Sequence, residues 1–113
     1  MEQTKINKIL ELHKKWLNNE PDGVRANLCG ADLCGANLDF SCFPLWCGGL
    51  DVHIDDRQAK QLLYHLIRNV QHSKNVSDEV KTIICTPESI ALANEFHRVN
   101  ECGEITIEGK ANE

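Results

Sequence analysis

The sequence predicts a predominantly helical α+β domain, and three observations carry the prediction. Apolar residues recur at three- and four-residue steps in residues 1–22 and again through 51–103, the spacing of helices with one buried side. Between these stretches the period changes to five, which belongs to neither a helix nor a flat strand. Apolar residues at 42% and charged residues at 26% of 113 residues are the proportions of a soluble folded chain with one modest core. We expect one domain over 1–113: an N-terminal helix in 1–22, a repeat-built coil and its exit in 23–50, a helical part in 51–103 and a polar tail in 104–113.

In the first segment Ile6, Ile9, Leu10, His13, Trp16 and Leu17 fall along one side of a helix that ends near Asn18-Asn19. Glu20-Pro21-Asp22-Gly23 breaks it, since the residue before proline avoids helical dihedrals and Pro and Gly punctuate the chain. From Val24 the chain reads VRANL, CGADL, CGANL, DFSCF. Leu28, Leu33, Leu38 and Phe43 share one register position, and Ala26, Ala31, Ala36 and Ser41 the position two before it. Asn27, Asp32, Asn37 and Cys42 lie between them, so large, small and polar roles each recur. Asn and Asp side chains bond to nearby backbone at turns, which suits them to the corners of such a repeat.

This stretch resembles the pentapeptide-repeat family, whose A(D/N)LXX units each form one side of a square right-handed β-helix. The resemblance covers about 20 of the 113 residues, with VRANL, CGADL and CGANL close to the pattern and DFSCF looser. It implies one coil of right-handed pentapeptide-repeat β-helix, with the Leu or Phe and the small residue pointing inward. One coil has open edges and cannot bury its interior alone, so N- and C-terminal α-helices are expected to cap it.

The exit, Pro44 to Leu50, carries Leu45, Trp46 and Leu50 beside Gly48-Gly49, and Trp46 is expected in the core. Asp55 is expected to cap the next helix, with Gln58 three residues on completing a capping box. Ala59, Leu62, Leu63, Leu66, Ile67 and Val70 follow as its buried face. Ser77-Asp78-Glu79 starts another helix with Val80, Ile83 and Ile84 as its face. Thr86-Pro87-Glu88 restarts one, threonine as cap and proline at the first helical position, with Ile90, Ala93, Phe96 and His97 facing inward. Gly103 is a C-cap candidate, and one short strand at Ile105 to Ile107 is all the tail promises.

Net charge is −5, and it sits mainly in the C-terminal half: four bases balance four acids in 1–22, whereas 51–113 carries seven bases against eleven acids. That disfavours direct nucleic-acid binding, which wants clustered Lys and Arg, and favours a basic protein surface as partner. No stretch approaches the roughly 18 apolar residues of a membrane span, and the N-terminus lacks the apolar segment of a signal peptide, so a cytoplasmic protein with six reduced cysteines is expected.

No constellation points to catalysis, a cofactor or a metal. Cys29-x4-Cys34 and Cys42-x4-Cys47 have the residue type for zinc. In a square coil, however, positions five apart lie on adjacent sides, so these thiols read as small filler. His65 and His72 could share a helix face with His97 or Cys102 supplied from the last helix, yet neither H-x-x-x-H nor H-E-x-x-H occurs. Ser41, Ser73, Ser77 and Ser89 lack the context of a nucleophile elbow, and the glycines belong to the repeat and its exit.

The reading is a non-enzymatic protein-binding module whose acidic surface engages a host protein or complex, with Asp55, Asp56, Asp78 and Glu79 as candidate partner-binding residues. LDFSCFPLWCGGLDV and ANEFHRVNECGEI are similar to segments of small phage and prophage members of the family. That resemblance implies an inhibitor of a host nucleic-acid-handling or defence complex, anti-CRISPR-like, working in the host cytoplasm. Two alternatives are a homodimer or larger assembly built on open coil edges, and a small metal-dependent enzyme using His and Cys of the C-terminal helices.

Overall fold

Gln3–Leu17 forms helix α1 because Ile6, Leu10 and His13 recur on one side, and all three are buried. Lys14 and Lys15 occupy its last turn, where cations suit the helix dipole, and Asn18 closes it by donating its N–H to Lys14. Asn19 then takes a left-handed φ of 58°, which turns the chain out of the helix. The computed structural model describes residues 2–107 and the backbone of 111–112. The chain divides into two compact units, residues 1–55 and 56–113.

In the first unit the five-residue period is a period of turns. Ala31, Ala36 and Ser41 donate their N–H groups to the carbonyls of Leu28, Leu33 and Leu38 at 2.8, 2.9 and 3.1 Å. Asn27, Asp32 and Asn37 brace these turns, each side chain accepting the N–H two residues on, from Cys29, Cys34 and Asp39. The third residue of each turn has φ > 0, as in a type II turn: Gly30 at 73°, Gly35 at 81° and Phe40 at 62°. Ala26, Leu28, Leu33, Ala36 and Leu38 are buried, Phe43 is half-buried and Ser41 is exposed. Ile6 and Leu10 of α1 pack onto Leu28, Leu33, Ala36 and Leu38, with Ile9, Ala31, Phe43 and Val52 at the margin. Gln3 pins the third turn by exchanging two hydrogen bonds with the backbone of Asn37.

The one-coil right-handed β-helix expected for this stretch is not formed. Among the described residues the protein is helical, with no strand in 23–55 and a single isolated parallel bridge there, Asp32 to His53. The physical reason is the number of circuits: a ladder needs a second turn of chain alongside the first, and four units supply only one. Residues 48–53 overlap the start of the circuit just far enough for three backbone bonds, Leu28 to Gly48, Leu33 to His53 and His53 to Ala31. The repeat therefore spends its backbone hydrogen bonds mainly on turns rather than on neighbouring strands.

The second unit holds α2 (Asp56–His72), α3 (Asp78–Ile84), α4 (Pro87–Ala93) and α5 (Val99–Cys102). Ser77 Oγ accepts from Val80 N–H to start α3, and Thr86 Oγ1 accepts from Ser89 N–H to start α4, with Pro87 at the first helical position. Gly103, φ 95°, is the C-cap of α5. The sheet is a two-stranded antiparallel pair, β1 (Glu104–Ile105) with β2 (Ala111–Asn112); Ile107 lies outside it.

Tyr64, Ile67, Ile90, Ala93, Phe96 and Ile105 form the core of this unit, the Tyr64 and Phe96 ring centroids 4.8 Å apart. The Tyr64 hydroxyl donates to Gly103 O, Arg68 donates to Cys102 O, and Asn94 exchanges two hydrogen bonds with the backbone of Ile105. These contacts set the rotation of α2. Its expected face is only partly the buried one: Ile67 and Val70 are inside with Tyr64 and Gln58, whereas Ala59, Leu62 and Leu66 lie on the surface. In α3 no residue is buried, and Val80 and Ile83 are exposed. No helix of the described residues is long and apolar enough to cross a membrane.

Candidate functional site

The four acidic residues singled out in the sequence have separate placements. Asp55 is half-buried, and its carboxylate accepts the N–H of Gly35 at 2.6 Å, so it holds the second turn of the repeat. Asp56 is exposed in the first turn of α2, and Asp78 and Glu79 are exposed side by side in the first turn of α3. Carboxylates at these positions also suit the positive ends of the helix dipoles. Between the two exposed groups runs α2, whose 17 residues rise about 25 Å.

The cysteines are free thiols, and among the described residues no group of three or more His, Cys, Asp or Glu side chains is placed to hold a metal ion. The Cys34 thiol is pushed up from its usual range, chiefly by its hydrogen bond with the Asp32 carboxylate. Asp32 is held below the usual carboxylate range, first by the Cys34 N–H and then by that thiol. Burial raises Cys85. Both thiols are thereby kept protonated, the opposite of an activated nucleophile. His13 is buried, and its Nδ1 accepts the Ala26 N–H at 3.1 Å, a structural tie between α1 and the first repeat.

Two features stand out at the surface of residues 1–55. The first is at the tips of the repeat. Phe40 is 89% exposed and Leu45 is 94% exposed, five residues apart in the register of the turns. Phe40 also occupies the left-handed position that Gly30 and Gly35 fill in the two preceding turns. An L-residue there carries roughly 1–2 kcal/mol of backbone strain, and so little of the ring is covered that packing recovers only a small part of it.

The second is a stack around Arg25. The guanidinium carbon lies 3.8 Å from the centroid of Trp46 and 5.8 Å from that of Trp16. Trp46, expected in the core, is instead half-buried. Its Nε1–H donates to Ala26 O at 2.6 Å, and its ring lies flat on Gly48, where a Cβ would come within 2.3 Å of the indole. Trp16 stacks in turn on His13, centroids 5.9 Å apart and planes 15° from parallel. The backbone of the one residue Ala26 thus bonds to both supports, its N–H to His13 and its C=O to Trp46.

One of these features had a sequence signal. Gly30, Gly35 and Phe40 share a register position, so a large side chain standing where the repeat wants glycine could have been read as an anomaly. The Arg25 stack had none, because its members, 9 and 21 residues apart in the chain, follow no period. No family model, curated protein or solved structure matches the chain.

Proposed function

We propose that the chain is a non-enzymatic protein-binding module that inserts the exposed Phe40 and Leu45 tips into an apolar recess of a partner. The observation that carries this reading is Phe40: a large apolar ring, 89% exposed, stands at a left-handed backbone position that the two preceding turns give to glycine. Strain of this kind is retained where a contact outside the chain uses it. Asp56, Asp78 and Glu79 are exposed acids of the second unit, and a net charge of −5 directs the module toward a basic partner rather than a polyanion. In the phage setting that the sequence resemblance implies, the partner is a host nucleic-acid-handling or defence complex.

The test is affinity capture from bacterial lysate on immobilised protein, comparing wild type with a Phe40→Gly/Leu45→Ser double variant and eluting by a salt gradient. Proteins retained by wild type, lost with the double variant and released by moderate salt support the reading. Identical retention on both surfaces defeats it. A second reading, self-association, is favoured by the exposed stripe Ala59, Leu62 and Leu66 on α2, spaced i, i+3, i+7 as a helix-pairing face is. Light scattering across a concentration series separates the two, since only self-association raises the mass of the purified chain.

A further inference from the structure

We infer that Arg25 and its two tryptophans form a binding site for a carboxylate in an acidic, apolar peptide segment of another protein. The site is distinct from the Phe40 and Leu45 tips and stands or falls without them. Its central fact is a cation that is held in place while its hydrogen-bonding capacity is unspent. Arg25 is exposed, its contacts are the faces of Trp46 and Trp16, and among the described residues no carboxylate or carbonyl takes a hydrogen bond from it. A guanidinium offers five N–H donors in a planar fork that matches a carboxylate two bonds at a time. Stacking uses the face of that plane and leaves the donors at its edge available.

The supports are fixed more firmly than a surface arginine requires. Trp46 is tied by its Nε1–H to Ala26 O and lies over Gly48, and Trp16 is stacked on the buried, hydrogen-bonded His13. An arginine restrained this way loses less freedom on binding than one extended into water, which is the general source of affinity from preorganisation. Trp and Arg are also the residue types that dominate the energetics of protein interfaces. The surroundings choose among anions. Trp16, within 5.8 Å of the guanidinium, is partly exposed, as are its chain neighbour Leu17 and Val24 next to Arg25 in sequence, which suits an aliphatic or aromatic side chain accompanying the incoming carboxylate. One committed cation, with Asp22 (paired with Lys15 at 3.1 Å) and Glu20 nearby in the chain, matches a single carboxylate rather than a run of phosphates.

The experiment pans a random dodecapeptide library displayed on phage against the immobilised full chain, after depletion on the Arg25→Lys variant. Enriched peptides are synthesised with a fluorescent label and titrated by anisotropy. Lysine keeps the charge and removes the fork, so it isolates the geometry that the site depends on. The expected result is a consensus with Asp or Glu beside an aliphatic or aromatic residue. Binding should weaken roughly ten- to hundred-fold on Arg25→Lys, as for loss of a hydrogen bond to a charged group, and by a similar factor when the peptide's acid becomes its amide. Unchanged circular dichroism of the variant keeps misfolding from producing the same loss. The inference is overturned by a consensus without an acidic residue, by no consensus at all, by equal affinity for wild type and variant, or by competition from inorganic phosphate or oligo-dT at the peptide's own concentration.

Discussion

Replacing Phe40 with glycine asks whether the exposed ring contributes to folding. The left-handed backbone costs an L-residue roughly 1–2 kcal/mol, and glycine relieves it. Glycine gives back about 0.5–1 kcal/mol through the greater freedom of the unfolded chain. Phe40 is 89% exposed, so of the 150–250 Å² that a phenylalanine can bury only about 20 Å² is covered, about 0.5 kcal/mol at roughly 25 cal/mol/Å². The three effects nearly cancel, and Phe40→Gly should lie within about 0.5 kcal/mol of wild type, against about 3–5 kcal/mol for truncating a buried phenylalanine. Gly35→Ala is the mirror experiment. A Cβ there meets nothing within 4 Å, so the loss of about 0.5–1 kcal/mol is purely conformational. The assay is urea unfolding followed by tryptophan fluorescence, because both tryptophans of the chain, Trp16 and Trp46, lie in residues 1–55 and report that unit specifically. With a slope of about 1–3 kcal/mol per molar urea, the expected midpoint moves by about 0.5 M or less. A loss above about 2 kcal/mol would mean that the ring packs in the folded chain, and the reading of Phe40 as a contact reserved for a partner would fail.

Other consequences can be checked with the same protein. Ile67→Ala, at a fully buried position, should cost about 2–5 kcal/mol, whereas Leu62→Glu/Leu66→Glu, at positions 39% and 48% exposed, should leave thermal stability nearly unchanged and abolish any self-association seen by light scattering. Asp32→Asn keeps the acceptor that Asn27 and Asn37 use in the neighbouring turns but removes the charge that holds the Cys34 thiol protonated. Cys34 should therefore react faster with iodoacetamide in the variant, followed by peptide mass mapping; an unchanged rate contradicts the assignment. The same pair gives a pH dependence. Because folding depresses the Asp32 carboxylate, its stabilisation is present above the unfolded value near pH ~3.9 and is lost as pH falls through the lower folded value. The advantage of wild type over Asp32→Asn should shrink between pH 5 and roughly pH 3, and a difference independent of pH would count against it. Trp46→Phe removes the donor to Ala26 O and should cost about 1 kcal/mol in the same urea assay.

What could be read from the sequence was local. Asn27, Asp32 and Asn37 each bond two residues ahead, and Ser77, Thr86 and Pro87 act within one helical turn, so their roles follow from residue type and spacing alone. The register of Leu28, Leu33 and Leu38 was legible for the same reason. Sheet formation was not, because a ladder depends on how many circuits the chain completes, and the three backbone bonds made by Gly48 and His53 are all that one circuit allows. The face of α2 was underdetermined by composition. Ala59, Leu62 and Leu66 are as apolar as Ile67 and Val70, and the choice fell to Tyr64, whose hydroxyl reaches Gly103 and whose ring packs on Phe96. Those partners lie 39 and 32 residues away, and no window of helical periodicity contains them.

One of the two proposed contact sites lies where the repeat departs from its own rule, and the other flanks its first turn. A sequence in which each local choice agrees with the fold gives no reason to look outside the chain for an explanation. Gly30 and Gly35 agree with their turns, whereas Phe40 places an exposed side chain at the same left-handed position. Arg25 stands five residues before Gly30, and its guanidinium lies over a tryptophan from the exit of the repeat and within 5.8 Å of the centroid of one from α1. If these features served folding, removing them should cost stability in proportion to the packing that each side chain provides. Phe40 is 89% exposed, and the π contacts of the exposed Arg25 are worth about 0.5–1 kcal/mol each at such sites. A phenylalanine ring left 89% exposed and a guanidinium whose donors meet no acceptor among the described residues are both features that a binding partner would use.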